Sequence, residues 1–263
     1  MLNYPCYVIH VKKGYEDRER SIVAQFGDLA QPFQWLLDYD IADLTPEIID
    51  HYGYNGTKLR PSEISCSLKH IAAWERLVAS QAPGAFILED DAIIDRSRFL
   101  PVAAAALAEF PVNEAAGCLS LGDGYGLYVP WTKLKRGRYL YPAEQMRASD
   151  CYFLTRSAAL NMLELIRQEG FYLPADHLIN RLCHQLDIPI LWVAPTLATQ
   201  GSHSGLFSSM IQTEVKGGRL AQLLWAVKKL RRKYLYPLFG GDQRKLSPEL
   251  RVDLKITRGG ARL

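Results

Sequence analysis

No apolar run in this chain is long enough to cross a bilayer, which excludes a spanning helix. The residues after Met1 lead straight into Tyr7-Val8-Ile9, without the charged, apolar and cleavage regions of a secretion signal. Cysteine is scarce: Cys6, Cys66, Cys118, Cys151 and Cys183 are odd in number, scattered, and contain no Cys-x-x-Cys pair. That pattern argues against a disulfide framework and against a zinc site, and for reduced thiols in a cytosol. Internal repeats are absent as well. Asn55-Gly56-Thr57 fits a glycosylation acceptor, but without a secretion signal it reads as a turn.

What is present suffices for a substantial core, since 48% of the 263 residues are hydrophobic. A net charge of +3 hides an asymmetry. From Gln212 to Leu263 there are 13 basic and 4 acidic residues, which leaves 18 basic and 24 acidic residues in the rest of the chain. Charge segregated in this way predicts a body at residues 1–211 and a basic tail at 212–263 that meets an anionic surface.

Short apolar runs alternate with helical patterns. Strands are expected at Tyr7 to Val11, Pro32 to Leu37, Ala85 to Leu88, Cys118 to Leu121, Cys151 to Leu154 and Ile190 to Val193. Helices are expected at Glu16 to Phe26, Ser62 to Ser80, Phe99 to Phe110, Ser157 to Gln168 and Asp176 to Gln185, with Ser62 as the N-cap of the longest. Such alternation predicts an α/β layered fold with a mainly parallel central sheet. The aromatic and basic stretch from Tyr125 to Pro142 shows no period and reads as a loop. Beyond Lys216, Leu220, Leu223, Leu224, Val227, Leu230 and Tyr234 fall on one helical face and Lys228, Lys229, Arg232 and Lys233 lie off it. A basic amphipathic helix of this type lies on an anionic membrane surface; the competing reading packs its leucines on the body. The acidic body disfavours nucleic acid as the partner.

The most informative feature is Glu89-Asp90-Asp91, which follows the apolar run Ala85-Phe86-Ile87-Leu88. The triplet therefore stands where a buried strand leaves the sheet, the edge at which open α/β sheets bind ligands. Clustered carboxylates repel one another unless a positive group sits among them, and a hard divalent cation holding a diphosphate is one such group.

Several segments, in order, resemble glycosyltransferase family 25, the lipooligosaccharide glycosyltransferases. Tyr7-Val8-Ile9 followed by Asp17-Arg18 is similar to the family's first strand and Asp-Arg motif. Glu63-Ile64-Ser65-Cys66-Ser67-Leu68-Lys69-His70 with Trp74 resembles its Glu-x-x-Cys-x-x-Ser-His helix, Lys69 standing in place of Ser. Leu88-Glu89-Asp90-Asp91 resembles its Leu-Glu-Asp-Asp signature, Ser149 to Thr155 with Ala158-Ala159 a later segment, and Pro174-Ala175-Asp176 its Pro-x-Asp element.

The resemblance implies a GT-A type, Rossmann-like fold. It implies hexosyl transfer, of galactose or glucose from a UDP-sugar donor, to a bacterial surface glycan, with inversion. Mn²⁺ or Mg²⁺ would be held by Asp91 and Glu89, with His203 as a further ligand or an ordinary loop histidine. Asp90 would contact the ribose or a positioning group, and Arg18 the base or a phosphate. Asp176 is the first candidate for the base that deprotonates the acceptor, against the reading of a helix cap; Asp150 is the second. His70 and Trp74 are expected to be core residues. A catalytically inactive nucleotide- or glycan-binding protein of the same fold, and a metal-dependent phosphoesterase, are the rival classes. The expected location is the cytoplasmic face of the bacterial inner membrane.

Overall fold

The computed structural model describes residues 2–56, 58–124, 126–202, 219–247 and 251. Its centre is a seven-stranded sheet in the order β2-β1-β3-β7-β5-β8-β6. The strands are β1 (Cys6–Ile9), β2 (Gln34–Leu36), β3 (Gly84–Glu89), β5 (Cys118–Ser120), β6 (Leu140–Ala143), β7 (Cys151–Thr155) and β8 (Ile190–Val193). A separate antiparallel pair joins β4 (Ala92–Ile94) to β9 (Ala198–Gln200). β2, β1, β3, β5 and β8 run one way, and β7 and β6 run against them. This is the α/β architecture with a mainly parallel sheet that the alternation predicted.

The period of two along each strand sorts the core into two layers. Tyr7 and Ile9 of β1 and Ile87 of β3 face a cluster with Leu68, Ile71 and Trp74 of α3 (Pro61–Ser80), Met162 of α5 (Arg156–Glu169) and Leu178 of α6 (Ala175–Gln185). Val8 of β1 and Phe86 and Leu88 of β3 face the other way, onto Ile22 and Phe26 of α1 (Glu16–Leu29) and Phe99 and Ala103 of α4 (Phe99–Ala108). With helices on both faces, the central strands have no solvated side, which is why they read as unbroken apolar runs.

Two local expectations are corrected. The N-cap of α3 is Arg60, not Ser62: Pro61 takes the first helical position, and the Glu63 carboxylate accepts the Arg60 backbone N–H at 2.8 Å. The stretch before Pro142 is not merely a loop, for it holds a short 3-10 turn (Trp131–Lys133) and the edge strand β6. Pro142 lies within that edge strand, where a missing N–H is tolerated. The C-terminal helix α7 (Arg219–Leu230) continues through a π turn (Arg231–Leu235) and a 3-10 turn (Tyr236–Phe239) and stops at Gly240, at φ 74°. Residues beyond it are tied to the body, since the Gln145 side-chain amide donates to the carbonyls of Gln243 and Lys245 at 2.8 Å each and Leu246 joins the core. No helix among the described residues is long and apolar enough to cross a membrane.

Candidate active site

β1 and β3 are neighbouring parallel strands, so the residues that follow them emerge side by side at one edge of the sheet. There, a cleft of about 690 Å³ is lined by the ends of both strands, by the first turn of α3 and by the first turn of α6. Glu89, Asp90, Asp91, Arg18 and Asp176 all line it. The structure thus brings together five of the sequence-predicted site residues from three parts of the chain.

The three adjacent acids have different environments. Asp90 is buried between Arg18 and His10: Arg18 Nη1 donates to Oδ1 at 2.6 Å and His10 Nδ1 stands 2.7 Å from Oδ2. It is a positioning group for Arg18, whose guanidinium also lies 4.2 Å from the centre of the Tyr15 ring. Glu89 accepts from the Ser149 hydroxyl at 2.6 Å. Burial works against its ionisation, but His70, Ser149 and the charge of Arg18 outweigh that and hold its carboxyl below the usual value. Asp91 is buried, and its Oδ2 accepts the Ser202 backbone N–H at 3.2 Å. Its Oδ1 has no partner among the described residues. Burial first, and then the charge of Glu89, push the Asp91 carboxyl up to about 6.

A buried carboxylate oxygen without a donor is costly. A hard cation would satisfy it, and the oxygen donors of Asp91 and Glu89 suit Mn²⁺ or Mg²⁺. His203, the third candidate ligand, lies outside the described residues.

Asp176 occupies the first turn of α6, where the N-cap is Pro174 and the carboxylate accepts the backbone N–H of His177 at 2.9 Å. It is half-buried on the cleft wall. Asp150 is placed differently. It is fully buried, does not line the cleft, and neither carboxylate oxygen has a partner among the described residues. Burial, followed by the charges of Asp123, Glu89 and Asp91, pushes its carboxyl well above the usual range. A Cβ on Gly122 would come within 2.1 Å of Asp150 Oδ2, so only glycine permits the chain to pass there. Asp150 is thus enclosed beneath the site, whereas Asp176 stands on the cleft wall.

His70 and Trp74 are core residues, as expected: His70 Nδ1 and Trp74 Nε1 both stand 2.9 Å from the Tyr152 hydroxyl. Two site residues escaped the sequence reading. His10 ends the apolar run of β1, at a strand exit equivalent to that of the acidic triplet, and that position was the available signal. Lys69, noted only as a departure from the family pattern, is buried and donates to the carbonyls of His10 at 2.9 Å and Asp38 at 2.7 Å and to Asp40 Oδ1 at 2.7 Å. It ties the ends of β1 and β2 together under the cleft, which a serine is too short to do.

An α/β sheet with an acidic cleft at its strand exits places the cleft where open α/β sheets bind their ligands. Residues 3–119 match the family model of glycosyltransferase family 25 (LPS biosynthesis protein), the family that the ordered motifs resemble. The chain is 26% identical over 199 residues to a "Putative glycosyltransferase" of Haemophilus influenzae, covering 70% of this chain and 66% of that protein. Among solved structures, the catalytic domain of Drosophila beta1,4galactosyltransferase 7 in complex with xylobiose aligns with a TM-score of 0.40 and 7% identity, over 83% of this chain and 79% of that one. The inositol-1-phosphate CTP transferase of T. maritima aligns with a TM-score of 0.40 and 10% identity, over 88% and 97%. Likeness at that level is no guide to activity or substrate.

Proposed function

We propose that this protein is a metal-dependent glycosyltransferase that moves a hexose, galactose or glucose, from a UDP-sugar to a lipooligosaccharide or related surface-glycan acceptor, with inversion. The observation that carries the reading is the buried Asp91 Oδ1, without a partner among the described residues, beside Glu89 in a cleft that also presents Arg18 and Asp176. The family match over residues 3–119 supports the reaction class.

Asp91 and Glu89 would hold Mn²⁺ or Mg²⁺, which offsets the charge of the departing nucleoside diphosphate. Asp90 keeps Arg18 extended along the cleft floor, where its guanidinium meets an anionic part of the donor without first reorganising. Lys69 fixes the loop after β1 against β2 and so sets the width of the donor side. Across the cleft, Asp176 accepts the proton of the acceptor hydroxyl as that oxygen attacks the anomeric carbon; a single base is sufficient for inversion.

The cytoplasmic face of the inner membrane is the proposed site of action. α7 supports this in an unexpected way. Its Lys229 points inward, pairing with Asp123 at 2.7 Å, while Leu223, Leu224, Val227 and Leu230 are exposed. The apolar face is thus turned away from the body, contrary to the competing reading of a helix that packs its leucines inward.

The experiment is UDP release from UDP-galactose and UDP-glucose, with and without Mn²⁺, alongside thermal shift with the same ligands. Metal-dependent release is expected with one of the two sugars. UDP binding with no release for any glycan acceptor would instead identify a binding protein of the same fold.

A further inference from the structure

The sequence argued against a zinc site because no two cysteines are close. The fold nonetheless builds a mixed donor set. Cys66 and His70 lie one turn apart on α3, hence on one face of it. That face meets the end of β3, where Glu89 leaves the sheet. A thiol sulfur, an imidazole nitrogen and a carboxylate oxygen of these three residues all lie within 4.8 Å of one another.

His70 carries the argument. Its ring is fully buried, and Nδ1 is engaged at 2.9 Å by the Tyr152 hydroxyl. Nε2 is therefore the remaining nitrogen, and it has no hydrogen-bond partner among the described residues. Glu89 Oε1 stands 3.6 Å away, beyond hydrogen-bond reach. A fully buried ring nitrogen that stands 3.6 Å from a carboxylate and close to a thiol, near enough for an electrostatic contact with Glu89 but without a hydrogen bond among the described residues, is what a cation between them would satisfy. The surroundings also have the form of a metal site's outer layer. Tyr152 fixes the ring orientation and leaves Nε2 for the ion, and the Ser149 hydroxyl steadies Glu89 at 2.6 Å. Cys66 and Glu89 line the cleft, so an ion can enter from it.

We propose that Cys66, His70 and Glu89 form a binding site for a thiophilic divalent cation, Zn²⁺ in particular, on the inner wall of the cleft, with the fourth position open to it. One sulfur, one nitrogen and one oxygen ligand plus an open position suit tetrahedral zinc, whereas Mn²⁺ and Mg²⁺ favour oxygen donors alone. With bonds of about 2.0–2.3 Å, donors around such an ion stand roughly 3.3–3.8 Å apart, so closure requires side-chain shifts of about an ångström. Cys66 gives up its proton on binding, and the cation takes the proton's place between sulfur and carboxylate. The site shares Glu89 with the proposed catalytic ion but depends on neither the sugar-transfer reading nor Asp91.

The test is a Co²⁺ titration of the full chain, followed by absorption. One equivalent is expected to give a thiolate-to-cobalt band in the near ultraviolet and tetrahedral bands in the visible, both bleached by Zn²⁺. Cys66→Ser should abolish the thiolate band, His70→Gln should lower Zn²⁺ affinity at least tenfold, and Asp91→Asn should leave the band intact. No band in the wild type, or a band that persists in Cys66→Ser, overturns the proposal. Should Cys66→Ser fail to fold, alkylation of the wild type decides: Zn²⁺ is expected to slow iodoacetamide labelling of Cys66 at least tenfold, and unchanged labelling overturns the site. UDP release with Mn²⁺ is read separately, so loss of one reading does not entail loss of the other.

Discussion

Arg18 and Asp90 form a buried ion pair, Nη1 to Oδ1 at 2.6 Å, that joins α1 to the exit of β3. Neither group is solvated enough to stand alone, and breaking such a pair from one side leaves an uncompensated charge. Arg18→Ala should therefore cost about 3–5 kcal/mol in stability by urea denaturation, as well as weaken UDP binding. A loss below about 1 kcal/mol would mean that His10, 2.7 Å from the other oxygen, suffices to hold Asp90.

Asp91 predicts a pH dependence. Its carboxyl, pushed up to about 6 from 3.8 by burial and then by Glu89, holds its proton in the folded chain after the unfolded chain has released it. The group's contribution therefore becomes unfavourable as pH rises between about 4 and 6, and the cost persists above that window. In EDTA at pH 7.5, Asp91→Asn should be more stable than wild type by on the order of 1–3 kcal/mol, with the difference shrinking towards pH 4. Mn²⁺ should stabilise the wild type increasingly from pH 5 to 7 and leave Asp91→Asn unchanged. Denaturation curves in EDTA and in Mn²⁺ at several pH values check both statements; an Asp91→Asn that is less stable in EDTA would refute the first.

Asp176 tests the assignment of the base. Replacement by Asn keeps the size and the acceptor for the His177 N–H but removes the proton acceptor. Donor affinity should hold within a few-fold while turnover falls by about 10²–10⁴. Near-normal transfer would place the base elsewhere on the cleft wall.

Strand and helix identity was largely legible because burial on both faces leaves plain apolar runs, as in Phe86-Ile87-Leu88, and because α3 carries a regular apolar face in Ile64, Leu68 and Ile71. The short pair β4–β9 was not legible: three-residue strands leave no period, and their pairing joins residues 92–94 to 198–200. Within the site, the acidic triplet was legible by its position at a strand exit, and the protein partners of each carboxylate were not. Which carboxylate is paired depends on α1 delivering Arg18 and β1 delivering His10, contacts separated by 72 and 80 residues. The sequence ranked Asp176 before Asp150 but showed nothing of their surroundings, and only the third dimension separates an enclosed group from one on the cleft wall.

The Tyr152 hydroxyl, shared by His70 and Trp74, links α3 to β7. Tyr152→Phe leaves the buried Trp74 N–H without its acceptor and frees the His70 ring. A loss of about 1–3 kcal/mol is expected from thermal or urea unfolding. The proposed zinc site should loosen in parallel, since the ring is no longer held with Nε2 towards Glu89. Unchanged stability would mean that a water replaces the hydroxyl.

The outward apolar face of α7 yields the last prediction. Leu223, Leu224, Val227 and Leu230 are more than half exposed, and Phe239 is 87% exposed, whereas Lys229 is spent on Asp123. Removing the tail is a poor test because Leu246 belongs to the core. Point changes are better: Leu223→Ser, Leu224→Ser, Val227→Ser and Leu230→Ser together remove the exposed leucines and valine of α7 without touching a buried group. Each side chain buried in a bilayer interface is worth up to about 1.5–3 kcal/mol, so binding to phosphatidylglycerol vesicles should fall at least tenfold even with shallow insertion. The melting temperature should stay within a few degrees. Neutralising Lys228, Arg231 and Lys233 to Gln should instead reduce the salt dependence of binding and leave part of the affinity. Full vesicle binding by the four-serine variant would show that the helix face is not the membrane contact.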